Sequence, residues 1–347
     1  MTSLNPILSF ALQALGLSET APIQCTPLAG RGSDRTFYRL GWGTGCSAIL
    51  IHYDARRIEN TLYADIAQFL AEIDVPVPHL IGHDRNLCLM IMEDLGDSDL
   101  WALRDQPWDI RKALYIRTLA VVCRLHSFPA DRIPADRVIM MKPFDAQLYA
   151  WERNYFRENF VAAFCRIEPT PASTRELEKE LQALAERVLS TNQCLVHRDL
   201  QSQNIMIRNK EPYLIDFQGM RFGSSFYDLG SLLCDPYVSF SLEEVEELLA
   251  SYYDLTKRDY TWPSFCRFFW EASVQRLMQA LGAYGFLGLR KGLPAFLNHI
   301  PSGLSNLRRA ASQIPDMPCF CEILDECQAS LTMGRRDGEA SFSLKNN

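Results

Sequence analysis

The chain has 347 residues, with 35 Lys+Arg against 42 Asp+Glu, 48% hydrophobic and 22% charged, the profile of an ordinary globular protein. Its length suggests about two structural units. A formal charge of −7 argues against a nucleic-acid partner, because phosphate backbones are held by an excess of Lys and Arg. No apolar run approaches the roughly 18 residues of a membrane span, and residues 1–6 place no basic group ahead of a hydrophobic stretch. Membrane insertion and a cleaved signal are therefore not expected, and the expected location is the cytoplasm.

The first hundred residues read as strands and turns. After a helix over Pro6 to Leu15, strands at Ile23 to Leu28 and Thr36 to Leu40 flank Gly30-Arg-Gly32-Ser33-Asp34, and Ala48 to His52 follows a second glycine turn. This pattern predicts an antiparallel meander. A helix over Glu59 to Ile73, with Leu62, Ile66, Phe69, Leu70 and Ile73 on one stripe, ends at Val75-Pro-Val-Pro78. Two further strands lead to Glu93-Asp-Leu95-Gly96.

Beyond Asp97 long helical periodicities take over. Ser173-x-x-Glu176 reads as a capping box opening a helix that buries Leu177, Leu181, Leu184 and Val188. The polar stretch from Thr332 reads as a disordered tail. The expected domains are a strand-rich unit over 1–95, a helical unit over 96–331 and a tail over 332–347. The 11 cysteines are scattered singly and read as reduced core residues; Cys319, Cys321 and Cys327 lack the usual metal-ligand spacing.

The segment that carries chemistry is His197-Arg198-Asp199, with Asn204 five residues after the Asp and Asp216-Phe217 beyond a hydrophobic stretch. Ile205 to Arg208 and Tyr213 to Ile215, around Asn209-Lys-Glu-Pro212, should pair as a hairpin. Such a hairpin brings Asn204 and Asp216 together at its open end, an amide oxygen and a carboxylate suited to Mg²⁺. Asp199 lies one short loop earlier. A carboxylate next to a two-ligand Mg²⁺ site is what phosphoryl transfer to a hydroxyl requires, with Asp199 accepting the proton.

On these residues the chain resembles the aminoglycoside phosphotransferase-like superfamily of small-molecule kinases. It is most similar to the bacterial branch acting on the anomeric hydroxyl of N-acetylmuramate and N-acetylglucosamine. The resemblance runs from about Gly30 to Leu307 and also rests on Val75-Pro-Val-Pro78, Glu93-Asp-Leu-Gly96, Asp216-Phe-Gln218 with Gly223, Tyr227-Asp-Leu-Gly-Ser-Leu-Leu-Cys-Asp235, Gln275-Arg276 through Gly282 with Gly285-Phe286, and Ile300-Pro301. It implies an α+β, bilobal protein-kinase-like fold, with a small antiparallel-sheet lobe and a larger helical lobe. It also implies ATP and Mg²⁺ as cofactors and an amino sugar as the small-molecule acceptor.

The glycine turn, through Gly30, Gly32 and Ser33, can bring backbone N–H groups close to a triphosphate. Glu93 to Leu95 matches the lobe linker whose backbone would hold the adenine edge. His197 and Arg198 are expected to support the loop, and Asp228 to brace it. The third strand lacks the lysine that kinases use on the α- and β-phosphates; Arg35 and Arg39 are the candidate substitutes, an ordinary surface arginine being the alternative. For the acceptor, the segment from Phe144 to Phe160 resembles the sugar-facing helix of that branch. Glu152 matches an acidic position and Asn154 replaces another, while Trp151 and Tyr155 suit either a sugar ring or the core. Gln201, Gln218 and Arg221 are further polar candidates. Gly219 stands where the sugar kinases tend to carry an acidic residue. Aminoglycoside, choline or homoserine kinases and a nucleotide-binding pseudokinase remain as alternatives. Only ten residues separate Gly219 from Gly230, too few for the activation segment of a protein kinase.

Overall fold

The computed structural model describes residues 6–28, 35–256 and 259–343, with side chains up to Thr332. The chain divides into two compact units, one of residues up to Lys142 with Gln203–Arg221, the other of Pro143–Ser202 with Phe222 onward. Among the described residues no helix is long and apolar enough to cross a membrane.

The first unit starts with α1 (Pro6–Ala14), followed by β1 (Gln24–Leu28), β2 (Thr36–Trp42), β3 (Cys46–His52), α2 (Ile58–Glu72), β4 (Leu80–Asp84) and β5 (Leu89–Glu93). The strands form an antiparallel sheet in the order β1-β2-β3-β5-β4. The meander therefore holds for three strands, after which β5 inserts between β3 and β4. Period-two alternation sets the packing: Leu89 and Ile91 of β5 join Ala48 and Leu50 of β3 in a cluster covered by Ala11 and Phe10 of α1. The α2 stripe buries Leu62, Ile66, Phe69 and Leu70 as its spacing predicts, whereas Ile73 is the C-cap residue and only half-buried. Helix α3 (Trp108–His126) completes this stretch.

In the second unit, α4 (Ala146–Phe156) runs into a π-helical turn at Arg157–Ala162, and α5 (Pro171–Leu189) leads to β6 (Gln193–Val196). Helix α5 buries the predicted Leu177, Leu181, Leu184 and Val188. Its start differs from the predicted capping box. Thr170 is the N-cap, its hydroxyl accepting from the Ser173 N–H at 3.2 Å, because Pro171 supplies a preset φ at the first helical position.

The hairpin of β7 (Ile205–Arg208) and β8 (Glu211–Leu214) belongs to the first unit. Arg208 faces Glu211, so the loop is the two residues Asn209 and Lys210, tighter than the four-residue turn read from sequence. Both have positive φ, 53° and 64°, the geometry of the two-residue turns that match strand twist. Main-chain bonds fix the hairpin to earlier segments: Leu100 N to Ile205 O at 3.0 Å, Ile207 N to Ser98 O at 2.7 Å and Leu214 N to Pro76 O at 2.9 Å. These bonds explain why the first unit extends past the expected boundary at residue 95 and takes in this segment.

The second unit resumes with β9 (Arg221–Ser224), paired with β6, then α6 (Ser225–Leu233), α7 (Leu242–Leu255), α8 (Trp262–Arg290), α9 (Ile300–Ser312) and α10 (Pro318–Ser343). The 29-residue α8 is buried on nearly every side. It crosses the π-helical turn so closely that a Cβ on Gly285 would lie 2.2 Å from the Asn159 carbonyl oxygen. Helix α10 continues through residues 332–343, where a disordered tail is expected; the stretch contains no proline, so nothing interrupts the backbone ladder. The cysteines are free thiols. Cys123, Cys165, Cys234 and Cys327 are buried, whereas Cys25 and Cys46 are exposed at the outer strand and the β2–β3 turn rather than in the core.

Candidate active site

In the first unit the hairpin places its ends as predicted. The Ile215 N–H donates to the Asn204 carbonyl at 3.0 Å, bringing the residues on either side of the two strands together. Asp216 adopts a left-handed conformation with φ 63°, a geometry that costs a non-glycine residue about 1 kcal/mol or more and persists only where neighbours over-determine it. The neighbours are visible. The buried Phe217 ring stacks on Tyr63 of α2 with centroids 4.4 Å apart. Gln218 Nε2 donates to Asp216 Oδ1 at 3.0 Å.

Asp216 is also ion-paired to Arg35, whose guanidinium donates to Gln218 Oε1 at 3.2 Å and lies 5.5 and 5.8 Å from the Phe37 and Tyr63 ring centroids. Arg35 is buried and Asp216 part-exposed. The other candidate arginine goes elsewhere. Arg39 donates to Asp94 at 2.7 Å and to Asp97 at 2.8 Å, around the turn at Gly96. Burial raises the Asp94 carboxyl and the Arg39 and Gly96 hydrogen bonds more than offset it, holding it below its ordinary value. Glu93 ends β5, with its N–H donated to the His79 carbonyl at 2.9 Å and its carboxylate paired to Arg208, while Leu95 is buried. Gly30, Gly32 and Ser33 lie outside the described residues.

In the second unit, two fully buried carboxylates hold the loop that carries Asp199. Asp228 of α6 accepts the backbone N–H groups of His197 at 2.6 Å and Arg198 at 2.8 Å. Asp235, just after α6, accepts the N–H of Ser202 at 2.7 Å and of Tyr237 at 3.0 Å. Between them Arg198 sits at φ 78°. Asp228 thus braces the loop as expected. Asp235 ends the family-like run from Tyr227, which by itself gives it no role; its bonds to Ser202 and Tyr237 supply one.

The Asp199 side chain is 24% exposed and meets two guanidinium groups, Arg198 Nη1 at 2.6 Å from Oδ2 and Arg276 Nη2 at 3.4 Å from Oδ1. Burial would raise its pKa, but the charges of Arg198 and Arg276 more than offset it, so the carboxyl lies below its ordinary value. Gln201 is half-buried in the same loop, its N–H bonded to the Asp199 carbonyl at 2.9 Å.

The acceptor candidates separate. Glu152 is buried, accepting from the Tyr227 hydroxyl and from Gln275 Nε2, each at 2.9 Å, and burial raises its pKa. It is therefore placed in the interior, contrary to the expectation that it faces an acceptor. Asn154, two residues on, is exposed and accepts from Arg157 at 2.9 Å. Helical residues two apart do not share a face, so the two cannot act together. Trp151 is 50% exposed and stacks on Tyr155 at 4.8 Å, so this pair is not core. Arg221 is buried, its Nε donating to the Gly219 carbonyl at 3.1 Å.

Among the described residues no three His, Cys, Asp or Glu side chains converge as a metal cage. Mg²⁺ in phosphoryl transfer is typically bound by one or two protein oxygens, with phosphates and water completing the shell. Asn204 and Asp216, an amide oxygen and a carboxylate at one end of the hairpin, are the residues that could hold it, and Asp216 is already ion-paired to Arg35.

A model of the phosphotransferase enzyme family matches residues 24–266. An N-acetylmuramate/N-acetylglucosamine kinase of Neisseria meningitidis is 24% identical over 299 residues, covering 84% of this chain and 87% of that protein. A protein of the same name from Pseudomonas putida is 24% identical over 310 residues, covering 87% and 88%. The solved structure of an ADP-bound aminoglycoside phosphotransferase, APH(2'')-Ib, matches with a TM-score of 0.56 and 15% identity over 87% of this chain and 98% of that one, which shows a shared kinase-like α+β fold.

Proposed function

Because this chain belongs to the phosphotransferase enzyme family, we propose that it transfers the terminal phosphoryl group of ATP to a hydroxyl of an amino sugar of the N-acetylmuramate or N-acetylglucosamine type. The reaction belongs in the cytoplasm, where ATP is available. Asp199 accepts the acceptor's hydroxyl proton as the new O–P bond forms, and the bond to the β-phosphate oxygen breaks with its electron pair leaving on ADP. Its depressed pKa keeps it anionic at neutral pH, so it orients the hydroxyl and takes the proton late. Asn204 and Asp216 hold Mg²⁺, which when bound offsets the charge on the transferring phosphoryl group. Arg35, the cation already at Asp216, supplies the positive charge that a third-strand lysine gives other kinases.

The observation that carries this reading is the loop at Asp199, clamped at both ends by buried carboxylates and polarised by two arginines. The same charges favour a neutral or anionic sugar over a polycationic aminoglycoside or choline. Glu152, the acidic group that might have balanced a cationic acceptor, is consumed internally.

The test is ATP consumption with Mg²⁺ over N-acetylmuramate, N-acetylglucosamine, unmodified hexoses, an aminoglycoside, choline and homoserine, with products identified by phosphorus-31 NMR. A sugar phosphate from an N-acetylated amino sugar is expected. Turnover only with the cationic acceptors would overturn the substrate assignment, and nucleotide binding without turnover of any acceptor would favour a pseudokinase.

A further inference from the structure

Helix α8 carries an arginine that the sequence presents only as part of a family-like run. Arg276 is 3% exposed. Its Nε donates to Ser231 Oγ of α6 at 3.0 Å, its Nη1 is bonded to Gln279, and its Nη2 is 3.4 Å from Asp199 Oδ1, with the Tyr227 ring 6.0 Å from Cζ. A guanidinium taken out of water costs several kcal/mol unless its charge and its hydrogen bonds are both matched. The carboxylate in direct contact with it is that of Asp199.

We propose that Arg276 is a positioning residue for phosphoryl transfer: from the rigid framework of α6 and α8 it fixes the carboxylate of Asp199 in the orientation that receives the acceptor's proton. Arg198 alone cannot do this. Its backbone is held by Asp228, but its guanidinium reaches Asp199 from the adjacent position of the same loop and so links that carboxylate to no other element. Arg276 ties the loop's carboxylate to a 29-residue helix instead. The fork of guanidinium donors makes the link directional, since Nε and Nη1 are locked to Ser231 and Gln279 before Nη2 reaches Asp199. A misplacement of about 1 Å in a reacting group costs on the order of a hundredfold in rate.

Other charged and titratable groups act on the two partners. Asp199 feels Arg198, Arg276 and His197 from its own loop and from α8, while the charge of Arg276 also acts on Glu152 of α4, on Asp235 after α6, and on Tyr227 and Tyr284. Arg276 could therefore serve only as a counter-ion to the buried carboxylates, and the test must separate that role from positioning.

Arg276→Gln keeps hydrogen-bonding capacity without charge, and Arg276→Lys keeps charge without the fork. The inference rests on Asp199 being the base, so the first readout needs neither ATP nor acceptor. The Asp199 carboxyl is titrated by carbon-13 NMR, its signal identified by its loss in Asp199→Asn. In Arg276→Gln the Asp199 titration should move to higher pH, and in Arg276→Lys it should stay close to that of the unsubstituted protein. Steady-state kinetics with N-acetylmuramate or N-acetylglucosamine should show kcat reduced about a hundredfold in Arg276→Gln and at least tenfold in Arg276→Lys, with KM for ATP within twofold. If no sugar is turned over, the acceptor assignment fails, and an Asp199 titration that does not move in Arg276→Gln still overturns this proposal independently of it. An unmoved Asp199 titration in folded Arg276→Gln would overturn it, as would a lowered melting temperature with kcat per folded molecule unchanged. Should Arg276→Gln not fold, unchanged kcat in Arg276→Lys overturns it and the tenfold loss supports it.

Discussion

Asp228→Asn tests whether the catalytic loop is held by its buried carboxylates. In the native structure the Asp228 oxygens accept the N–H groups of His197 and Arg198 at 2.6 and 2.8 Å. Charge-assisted bonds of this kind are worth roughly 1.5–3 kcal/mol each. Asparagine retains one acceptor and turns an N–H donor toward the second backbone N–H, so one bond is lost outright and the other loses its charge. The left-handed Arg198 backbone then loses a support, in a conformation costing of order 1–3 kcal/mol. The expected destabilisation is about 2–4 kcal/mol, which at a urea m-value of roughly 3 kcal/mol/M moves the midpoint down by about 1 M. Because Asp199 follows Arg198 directly, kcat should fall at least tenfold under conditions where the variant is fully folded, while KM for ATP stays within threefold. Urea titration followed by circular dichroism and initial-rate kinetics read the two effects. A variant with an unchanged midpoint and kcat within twofold would refute the clamp.

Three further outcomes follow from other contacts. Arg35→Gln should raise KM for ATP about tenfold, the loss of one charge-assisted contact at Asp216, whereas Arg39→Gln, which removes a guanidinium held by Asp94 and Asp97 around the Gly96 turn, should leave it within threefold; equal effects in initial-rate assays would contradict the assignment of Arg35. Glu152 has a pKa raised by burial, so the folded state binds its proton more tightly than the unfolded state and its ionisation costs stability as pH rises through that raised value. The urea midpoint of Glu152→Gln relative to the unsubstituted protein should therefore increase between pH 5 and pH 8, and a constant or falling difference would refute this sign. Gly285→Ala places a methyl 2.2 Å from the Asn159 carbonyl and should cost about 1–3 kcal/mol in urea unfolding by overpacking; a neutral result would mean that α8 does not cross the π-helical turn this closely.

Much of this molecule is legible where side-chain periodicity is strict. The α2 and α5 stripes and the hairpin at Asn204 to Asp216 follow from spacing, because one buried face admits one register. Placement was harder to read where a local rule has two solutions. Ser173-x-x-Glu176 satisfies the capping-box pattern, yet Thr170 ahead of Pro171 caps α5. Glu152 and Asn154 look equivalent in a motif, but the helix turns one inward and the other out. Arg35 and Arg39 are interchangeable on paper because both follow the same turn; only the tertiary contacts send one to Asp216 and the other to Asp94 and Asp97. Asp235 and Arg276 stand in family-like runs, but their roles could not be read there, since they depend on partners 33 and 77 residues away in sequence.

If Asp199 serves phosphoryl transfer to an amino sugar, removing its charge must stop product formation without unfolding the protein. Formation of sugar phosphate from N-acetylmuramate or N-acetylglucosamine with Mg²⁺ and ATP is followed by phosphorus-31 NMR for the unsubstituted protein and for Asp199→Asn, each shown to be folded and to bind ATP. Product is expected with the former and a loss of at least about a hundredfold with the latter. Undiminished product formation by folded Asp199→Asn would contradict that role of Asp199.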